Sequence, residues 1–196
     1  MSSYNYSSNN GRAEADIVTL VDDTGRSLDC FVENTLQQRD SHYFLLMPID
    51  TPVTIIVWDD EHKNSEAILV EEETEISDIF ADAQAVLAEF DLTLKRSAYT
   101  LTVAGEIAAT EEEETLTIEI EELDGEIEVE EFRFLVSFRH DEQDYEIYTP
   151  ITPLLLLAKK INAQGDLRLL NPDELPNIQP VIEELLFEEV DEFDEN

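Results

Sequence analysis

Two stretches of the sequence, Tyr43-Phe-Leu-Leu-Met-Pro48-Ile49 and Tyr145-Glu-Ile-Tyr-Thr-Pro150-Ile151, carry Tyr, Pro and Ile at the same spacing. The second follows the first at a shift of 102 residues, which takes position 43 to 145 and position 48 to 150. A constant shift across an element indicates an internal duplication. We therefore expect the two tyrosines at equivalent strand positions, and each proline at the end or edge of a ladder, because proline donates no backbone hydrogen bond.

The sequence downstream of each of these two stretches also matches between the copies. The apolar run Leu154–Leu157 matches the strand-like run Val53–Val57, and Leu167 matches Ile68 at a shift of 99 residues. The change from 102 to 99 predicts a deletion of three residues in the intervening turn.

The first copy begins as a hairpin and ends as a helix. Ile17–Val21 and Leu28–Val32 are β-rich, and Asp22–Gly25 between them has residues suited to a turn. Farther on, apolar residues recur at intervals of three and four, which predicts one buried helical face. Thr74 or Ser77 is expected to cap that helix. The face comprises Ile76, Ile79, Phe80, Ala83, Val86, Leu87 and Phe90.

The second copy repeats this plan with different residues. Asp91–Ser97 is expected to be a connector, and Tyr99 to Val103 a half-buried strand. Period-two alternation then resumes from Leu116, and it continues through a Phe-rich strand, Phe132–Phe138. The second helix is expected to open at Pro180, because proline is tolerated in a first helical turn. Its apolar residues are Val181, Ile182, Leu185 and Leu186.

These patterns predict an α+β protein made of two divergent copies of a small antiparallel-sheet module, each closed by one helix. The N-terminal residues carry no apolar period and are expected to be disordered. The predicted segments are an N-terminal stretch (1–15), a first module (16–92), a connector with a strand and a Glu-rich loop (93–114), a second module (115–188) and an acidic tail (189–196).

Charge limits the partners of the chain. It has 48 acidic and 11 basic residues, for a formal net charge of −37. Such a field repels nucleic-acid phosphates and anionic membranes and attracts basic proteins. Because 42% of the residues are hydrophobic and fall in periodic blocks, we expect a folded chain. Proteins of salt-accumulating halophiles share this composition, so the charge has an alternative reading as an adaptation of solvation.

Compartment signals are few. Cys30 has no partner for an internal disulfide, which fits a reducing compartment, and it lies in an apolar run typical of a core. The N-terminus lacks the basic and apolar regions of a signal peptide. No apolar run approaches the ~20 residues of a membrane helix. We expect a soluble, intracellular protein without membrane insertion.

One family resembles this sequence. The run Ile17–Gly25, the strand Tyr43–Pro48, Val53–Ile56 and the acidic segment Ile68–Phe90 resemble the small acidic YrzB-like domain of unknown function found in bacteria. The doubled arrangement resembles cyanobacterial and plastid proteins in which two divergent copies lie in one chain. The resemblance implies a fold and a photosynthetic lineage, hence a cytoplasmic or plastid stromal location. It transfers no catalytic residues.

The sequence contains few signals of chemistry. His42, His62 and His140 lack the spacing of metal ligands, and we expect them to be solvated. Asp22–Gly25 and the glutamate run 111–114 do not match a calcium loop. We therefore assign no catalytic, cofactor-binding or metal-binding residue, and we expect no cofactor.

The leading hypothesis is a non-enzymatic acidic binding or assembly factor that acts on a basic partner protein or complex. One alternative is a nucleic-acid mimic, whose carboxylates occupy the groove of a DNA- or RNA-binding protein. The other is an enzyme with an unrecognised site. Neither the oligomeric state nor the partner follows from the sequence. The residues proposed as the partner-binding acidic face are Glu119, Glu121, Glu126, Glu128 and Glu130.

Overall fold

A computed structural model describes residues 16–38, 41–59, 66–108, 115–121, 127–162, 165–171, 174–175, 178–180 and 182. Within these ranges the fold is mostly antiparallel sheet with one long α-helix, which confirms an α+β class. In chain order the elements are β1 (Ile17–Val21), β2 (Ser27–Gln38), β3 (Ser41–Pro48), β4 (Thr51–Asp59), β5 (Glu66–Leu69), α1 (Glu73–Ala88), β6 (Thr93–Arg96), β7 (Leu101–Ala104), β8 (Thr115–Glu121), β9 (Ile127–His140), β10 (Gln143–Pro150), β11 (Leu156–Lys160) and β12 (Leu167–Leu169).

The repeated sequence element forms two equivalent strands. β3 and β10 each contain eight residues, with the tyrosine in third place and the proline in last place. Tyr43 and Tyr145 are both buried, and the burial classes of the next three residues also agree between the strands. The predicted equivalence of the tyrosines, and of Pro48 and Pro150 as strand ends, is confirmed.

Each of the two sheets combines strands from both halves of the sequence. The five-stranded sheet has the order β1-β2-β3-β11-β12. The seven-stranded sheet has the order β6-β7-β4-β10-β9-β8, with β5 paired to β4. The first three strands of one predicted module therefore pair with the closing strands of the other.

The registers of these pairings are the same in both sheets. Tyr43 lies opposite Lys159 on the β3–β11 ladder, and Tyr145 lies opposite Val57 on the β10–β4 ladder. The shift of 102 that takes Tyr43 to Tyr145 also takes Val57 to Lys159. We call this arrangement the strand exchange: each closing segment, β4–β5 or β11–β12, occupies the equivalent place in the other sheet.

The expected shift of 99 for the closing strands is wrong by one residue. Val57 lies opposite Ile68, and its equivalent Lys159 lies opposite Arg168, which gives a shift of 100. The backbone amides of Val70 and Leu170 confirm it, since each donates 2.9 Å to the carbonyl of an equivalent strand residue. The intervening turn is shorter by two residues rather than three. Apolar residues of the two closing strands can be matched at a shift of 99 or 100, so the sequence pattern alone does not fix this register.

The chain divides into two compact units. The first draws on Met1–Thr19, Asp29–Met47 and Leu156–Asn196, and the second on Leu20–Leu28 and Pro48–Leu155. In the first unit, the buried Tyr43 and Leu170 pack with partly buried apolar side chains, and Lys159 lies over the Tyr43 ring at 5.6 Å. In the second unit, α1 packs on the sheet around fully buried residues that include Ile55, Ile79, Leu87, Val103 and Ile147.

The helix has the predicted face but different ends. Six of the seven expected apolar residues pack into the core of the second unit, whereas Phe90 follows the helix and is exposed. The expected caps are wrong, because the N-cap residue is Glu72, which makes no side-chain capping bond. Thr74 and Ser77 lie inside the helix, and the Ser77 hydroxyl donates to the Glu73 carbonyl. Glu73 and Glu75 place carboxylates in the first turn, where the helix dipole favours them.

Several other element boundaries differ from the sequence prediction. The expected connector Asp91–Ser97 contains β6, and Tyr99 has a φ of +68° that removes it from β7. Leu154 precedes β11 instead of starting it. Of the predicted second helix, Pro180 and Ile182 are described and both are helical, as is Gln179 before them, while its other apolar residues fall outside the described ranges. Three other predicted segments also fall outside the described ranges: the N-terminal stretch 1–15, the glutamate run 111–114 and the acidic tail 189–196.

Candidate partner-binding site

The residues of the predicted acidic face occupy two neighbouring strands. Glu119 and Glu121 are in β8, and Glu128 and Glu130 are in β9. The side chain of Glu130 is exposed. Glu126 lies outside the described residues.

The β8–β9 register separates these glutamates. Glu119 lies opposite Val129, and Glu130 lies opposite Ile118. Since directly opposed residues share a face and neighbours along a strand alternate, the positions of Glu119 and Glu130 belong to different faces of the ribbon. The ladder brings each glutamate next to an apolar residue instead of another glutamate.

A groove of about 540 Å³ opens in the second unit where β10 ends. Its walls are the start of β4 (Pro52–Thr54), the edge of β9 (Val129–Phe132) and the segment that follows β10 as far as Leu155. Leu69 and Thr100 complete the lining. The volume lies within the range of small-ligand and peptide sites.

The chemistry of this groove is apolar with an acidic rim. Among the described residues, Glu130 and Glu131 are the only charged ones in its lining, and both are exposed. Val129 and Leu155 leave 60% and 42% of their surface open to solvent. Apolar walls with carboxylates at the rim fit a ligand that combines apolar and cationic groups.

A polar clasp joins β4 to β10 in the same unit. One carboxylate oxygen of Glu146, Oε2, accepts hydrogen bonds from the Trp58 indole at 2.6 Å and from the Tyr148 hydroxyl at 2.7 Å. Phe134 packs edge-on against Tyr148 with ring centroids 5.6 Å apart. These bonds tie three side chains together across a strand pair, which is a structural role.

Two arginines line a second cavity of about 280 Å³ in this unit, but acidic groups match their charges. Arg26 pairs with Asp22 and Glu73 at 2.7 Å each, and these bonds raise the pKa of its guanidinium above the ordinary value. Arg96 donates to Ser77 and stacks over Phe80 at 5.1 Å. The arginines thus connect the β1–β2 turn and β6 to α1.

The turn considered as a calcium site is a closed hydrogen-bond network. The Asp22 carboxylate accepts from the Thr24 amide and hydroxyl and from the Arg26 amide and guanidinium. These bonds hold the pKa of Asp22 well below its ordinary value. Gly25, with a φ of +84°, closes the turn, as expected between β1 and β2.

The other candidate groups are dispersed. His140 contacts Asp82 of α1 at 2.7 Å, an interaction that raises its pKa, whereas His42 is exposed and His62 lies outside the described ranges. Cys30 is fully buried, which raises the pKa of its thiol to about 11. Across the part of the chain described, no cluster of three His, Cys, Asp or Glu side chains could hold a metal ion. In the same ranges no helix is long and apolar enough to span a membrane.

Two family profiles match the sequence. Residues 91–189 match a profile described as a protein of unknown function (DUF3727), which covers half of the chain. The chain belongs to the DUF3727 family. Residues 23–88 match a second profile of unknown function, DUF1292. No curated protein and no solved structure matches the chain.

Both matched regions contribute to the groove of this DUF3727 protein. The DUF3727 region supplies β9 and the Leu155 segment, and the DUF1292 region supplies β4 and Leu69. Sequence reasoning included Glu130 but missed Glu131 and the apolar walls. The alternation of the strand selects every second residue, so it selects Glu130 and not the adjacent Glu131. The sequence does not indicate that Pro52 and Val129 line one groove. They do so only because the strand exchange pairs β4 with β10, whose other neighbour is β9.

Proposed function

We propose that this protein is a non-enzymatic binding or assembly factor that holds a basic partner protein or complex. The observation that carries the proposal is the groove of the second unit, whose apolar lining carries Glu130 and Glu131 as the only charged residues in the part of the chain that the structure describes. The net charge of −37 accelerates the encounter with a cationic partner, and the apolar walls retain it.

The finer parts of this proposal come from the sequence. We propose that the chain arose by duplication of a YrzB-like module and acts in the cytoplasm or plastid stroma of a photosynthetic lineage. The equivalence of β3 and β10 and their ladders supports duplication. Nucleic-acid mimicry has less support, because the β8–β9 register puts an apolar residue opposite each glutamate instead of a continuous row of carboxylates.

Affinity capture from a low-salt native extract tests the function. The wild-type protein is compared with a groove variant that combines Glu130→Gln, Glu131→Gln and Leu155→Ser. A charge-matched control carries Glu89→Gln and Glu106→Gln, two exposed positions outside the groove lining. We expect a basic protein to be retained by wild type and the control and lost by the groove variant.

Added DNA or RNA then separates the two binding hypotheses. Release of the captured protein by nucleic acid would support mimicry, whereas retention supports the proposed function. Equal capture by wild type and the groove variant would refute a role for the groove, and retention of no basic protein by wild type would refute the proposed function.

A further inference from the structure

The groove borders an open edge of the seven-stranded sheet. β10 pairs with β9 as far as Pro150, which lies opposite Phe132, and the Ile151 amide then donates 2.9 Å to the Glu131 carbonyl. β9 itself begins four residues earlier, at Ile127. Among the described residues, no strand pairs with β9 on this side before Glu131.

Backbone alternation identifies the groups at this edge. In an antiparallel ladder, alternate residues direct both their amide and their carbonyl to the same neighbouring strand. Because Glu131 directs its carbonyl to the β10 side, Val129 directs its amide and carbonyl to that side too. The Val129 side chain is 60% exposed. A sheet edge of this kind is a template for the backbone of an added strand.

The groove continues the line of β10. β10 lies between β9 and β4 over Tyr145–Tyr148. Beyond its end, both Val129–Phe132 of β9 and Pro52–Thr54 of β4 line the groove. An extended segment placed there would occupy the position that β10 vacates, with one sheet edge beside it and the apolar wall of Leu69 and Leu155 within reach.

We propose that an extended basic segment of a partner protein adds as a strand to β9 at Val129. This inference rests on the proposed function and names its binding mode. Backbone pairing with Val129 supplies direction, apolar side chains contact the groove walls, and Lys or Arg side chains reach Glu130 and Glu131. A second copy of this chain is a poor occupant, because both molecules carry a charge of −37.

The test uses the full chain and two synthetic peptides of alternating lysine and valine. One peptide is unmodified, and the other carries N-methyl groups on alternate backbone amides, which preserves charge and side chains but prevents strand pairing. We expect the unmodified peptide to bind at least about tenfold more tightly, a difference that one or two backbone hydrogen bonds supply.

A protein variant locates the pairing. Val129→Pro removes the amide that faces away from β8, and Val129→Thr keeps it. We expect the proline variant to lose the preference for the unmodified peptide, and the threonine variant to retain it. Circular dichroism shows whether each variant folds. If the proline variant does not fold, the comparison of the two peptides on the wild-type protein still tests strand pairing.

Each result has one meaning. Equal affinity for the two peptides would overturn strand addition and leave the proposed function standing. The double variant Glu130→Gln and Glu131→Gln should bind the unmodified peptide more weakly than wild type does. Unchanged binding would count against both strand addition and the proposed function. Self-association of the wild type that Val129→Pro abolishes, measured by analytical ultracentrifugation without peptide, would assign the edge to a second copy and overturn the proposal.

Discussion

Val57 lies directly opposite Tyr145, although an equivalent tyrosine, Tyr43, is much closer to it in the sequence. A hairpin with a three-residue turn at Ile49, Asp50 and Thr51 would bring Val57 opposite Tyr43 in the same register. The equivalent ladder joins Tyr43 to Lys159. Each unit thus contains a ladder that a local hairpin could also form, and the strand exchange selects the distant partner.

The strand exchange predicts that the two halves of the chain stay together after cleavage. A protease site inserted between Ala108 and Thr115 divides the chain into one fragment that contains β1 to β7 and another that contains β8 to β12. We expect the fragments to co-elute in native buffer, because β3 pairs with β11 and β4 pairs with β10. Size-exclusion chromatography with light scattering measures the mass.

Salt provides the control for that cleavage experiment. Both fragments are acidic, so charge opposes their association, and added salt should not separate them. Separation of the fragments in native buffer would contradict the strand exchange and favour two local hairpins.

Two isoleucines of the same segment should differ sharply in their contribution to stability. Ile147 is fully buried between β4 and β9, whereas Ile151 is largely exposed. We expect Ile147→Ala to reduce the free energy of unfolding by about 3 kcal/mol, through lost burial and a residual cavity. Ile151→Ala should cost about 0.5 kcal/mol or less, as surface substitutions do. Urea unfolding measures both, and equal costs would show that β10 is not the centre of this core.

Gly105 is predicted to be the least replaceable of the described glycines. It has a φ of +126°, and an added Cβ would lie 2.8 Å from the Asp91 carbonyl oxygen. Gly25 also has a positive φ, of +84°, but its Cβ would meet nothing within 4 Å. We expect Gly105→Ala to cost about 2 to 4 kcal/mol and Gly25→Ala about 1 kcal/mol. Thermal unfolding compares them, and the reverse order would refute the close approach at Asp91.

The contact between His140 and Asp82 makes stability depend on pH. The hydrogen bond to Asp82 raises the pKa of His140 above 6.5, so the folded chain binds this proton more tightly than the unfolded chain. Its stabilisation is therefore fully present below pH 6.5 and is lost as the pH rises through the folded-state value. Asp141 and Asp78 also face the ring and act in the same direction.

The measurement compares Asp82→Asn with wild type by urea unfolding at about pH 6 and about pH 9. Glu89→Gln removes one negative charge at the C-cap of α1, so it corrects for the general relief of repulsion. Relative to this control, Asp82→Asn should be less stable at the lower pH and equal at the higher one. A deficit of the same size at both pH values would remove His140 as the cause.

Much of the fold was accessible from the sequence because the pattern that decides it is local. The period of two in β9 and the period of three to four in α1 follow from which side chains are buried. The partner of a strand is a different kind of information. β3 and β10 offer equivalent ladders, so no local pattern distinguishes β4 from β11 as the neighbour of either strand.

The site was less accessible for the same reason. The alternation of glutamates with apolar residues is visible in the sequence, but a groove is a property of chain segments that meet in space. Glu130 was predicted because it belongs to that alternation. Val129, although next to it, has the appearance of an ordinary strand valine until the end of β10 leaves the edge of β9 open.

The strand exchange also sets an order of events during synthesis. The strands of the seven-stranded sheet end at Pro150, so that sheet can close before translation is complete. The five-stranded sheet needs β12, which ends at Leu169, so β3 emerges from the ribosome long before its partner exists. During that interval the nearest compatible strand is β4. A growing chain that forms the local β3–β4 hairpin first must open it when β10 arrives, because β4 pairs with β10 in the finished sheet.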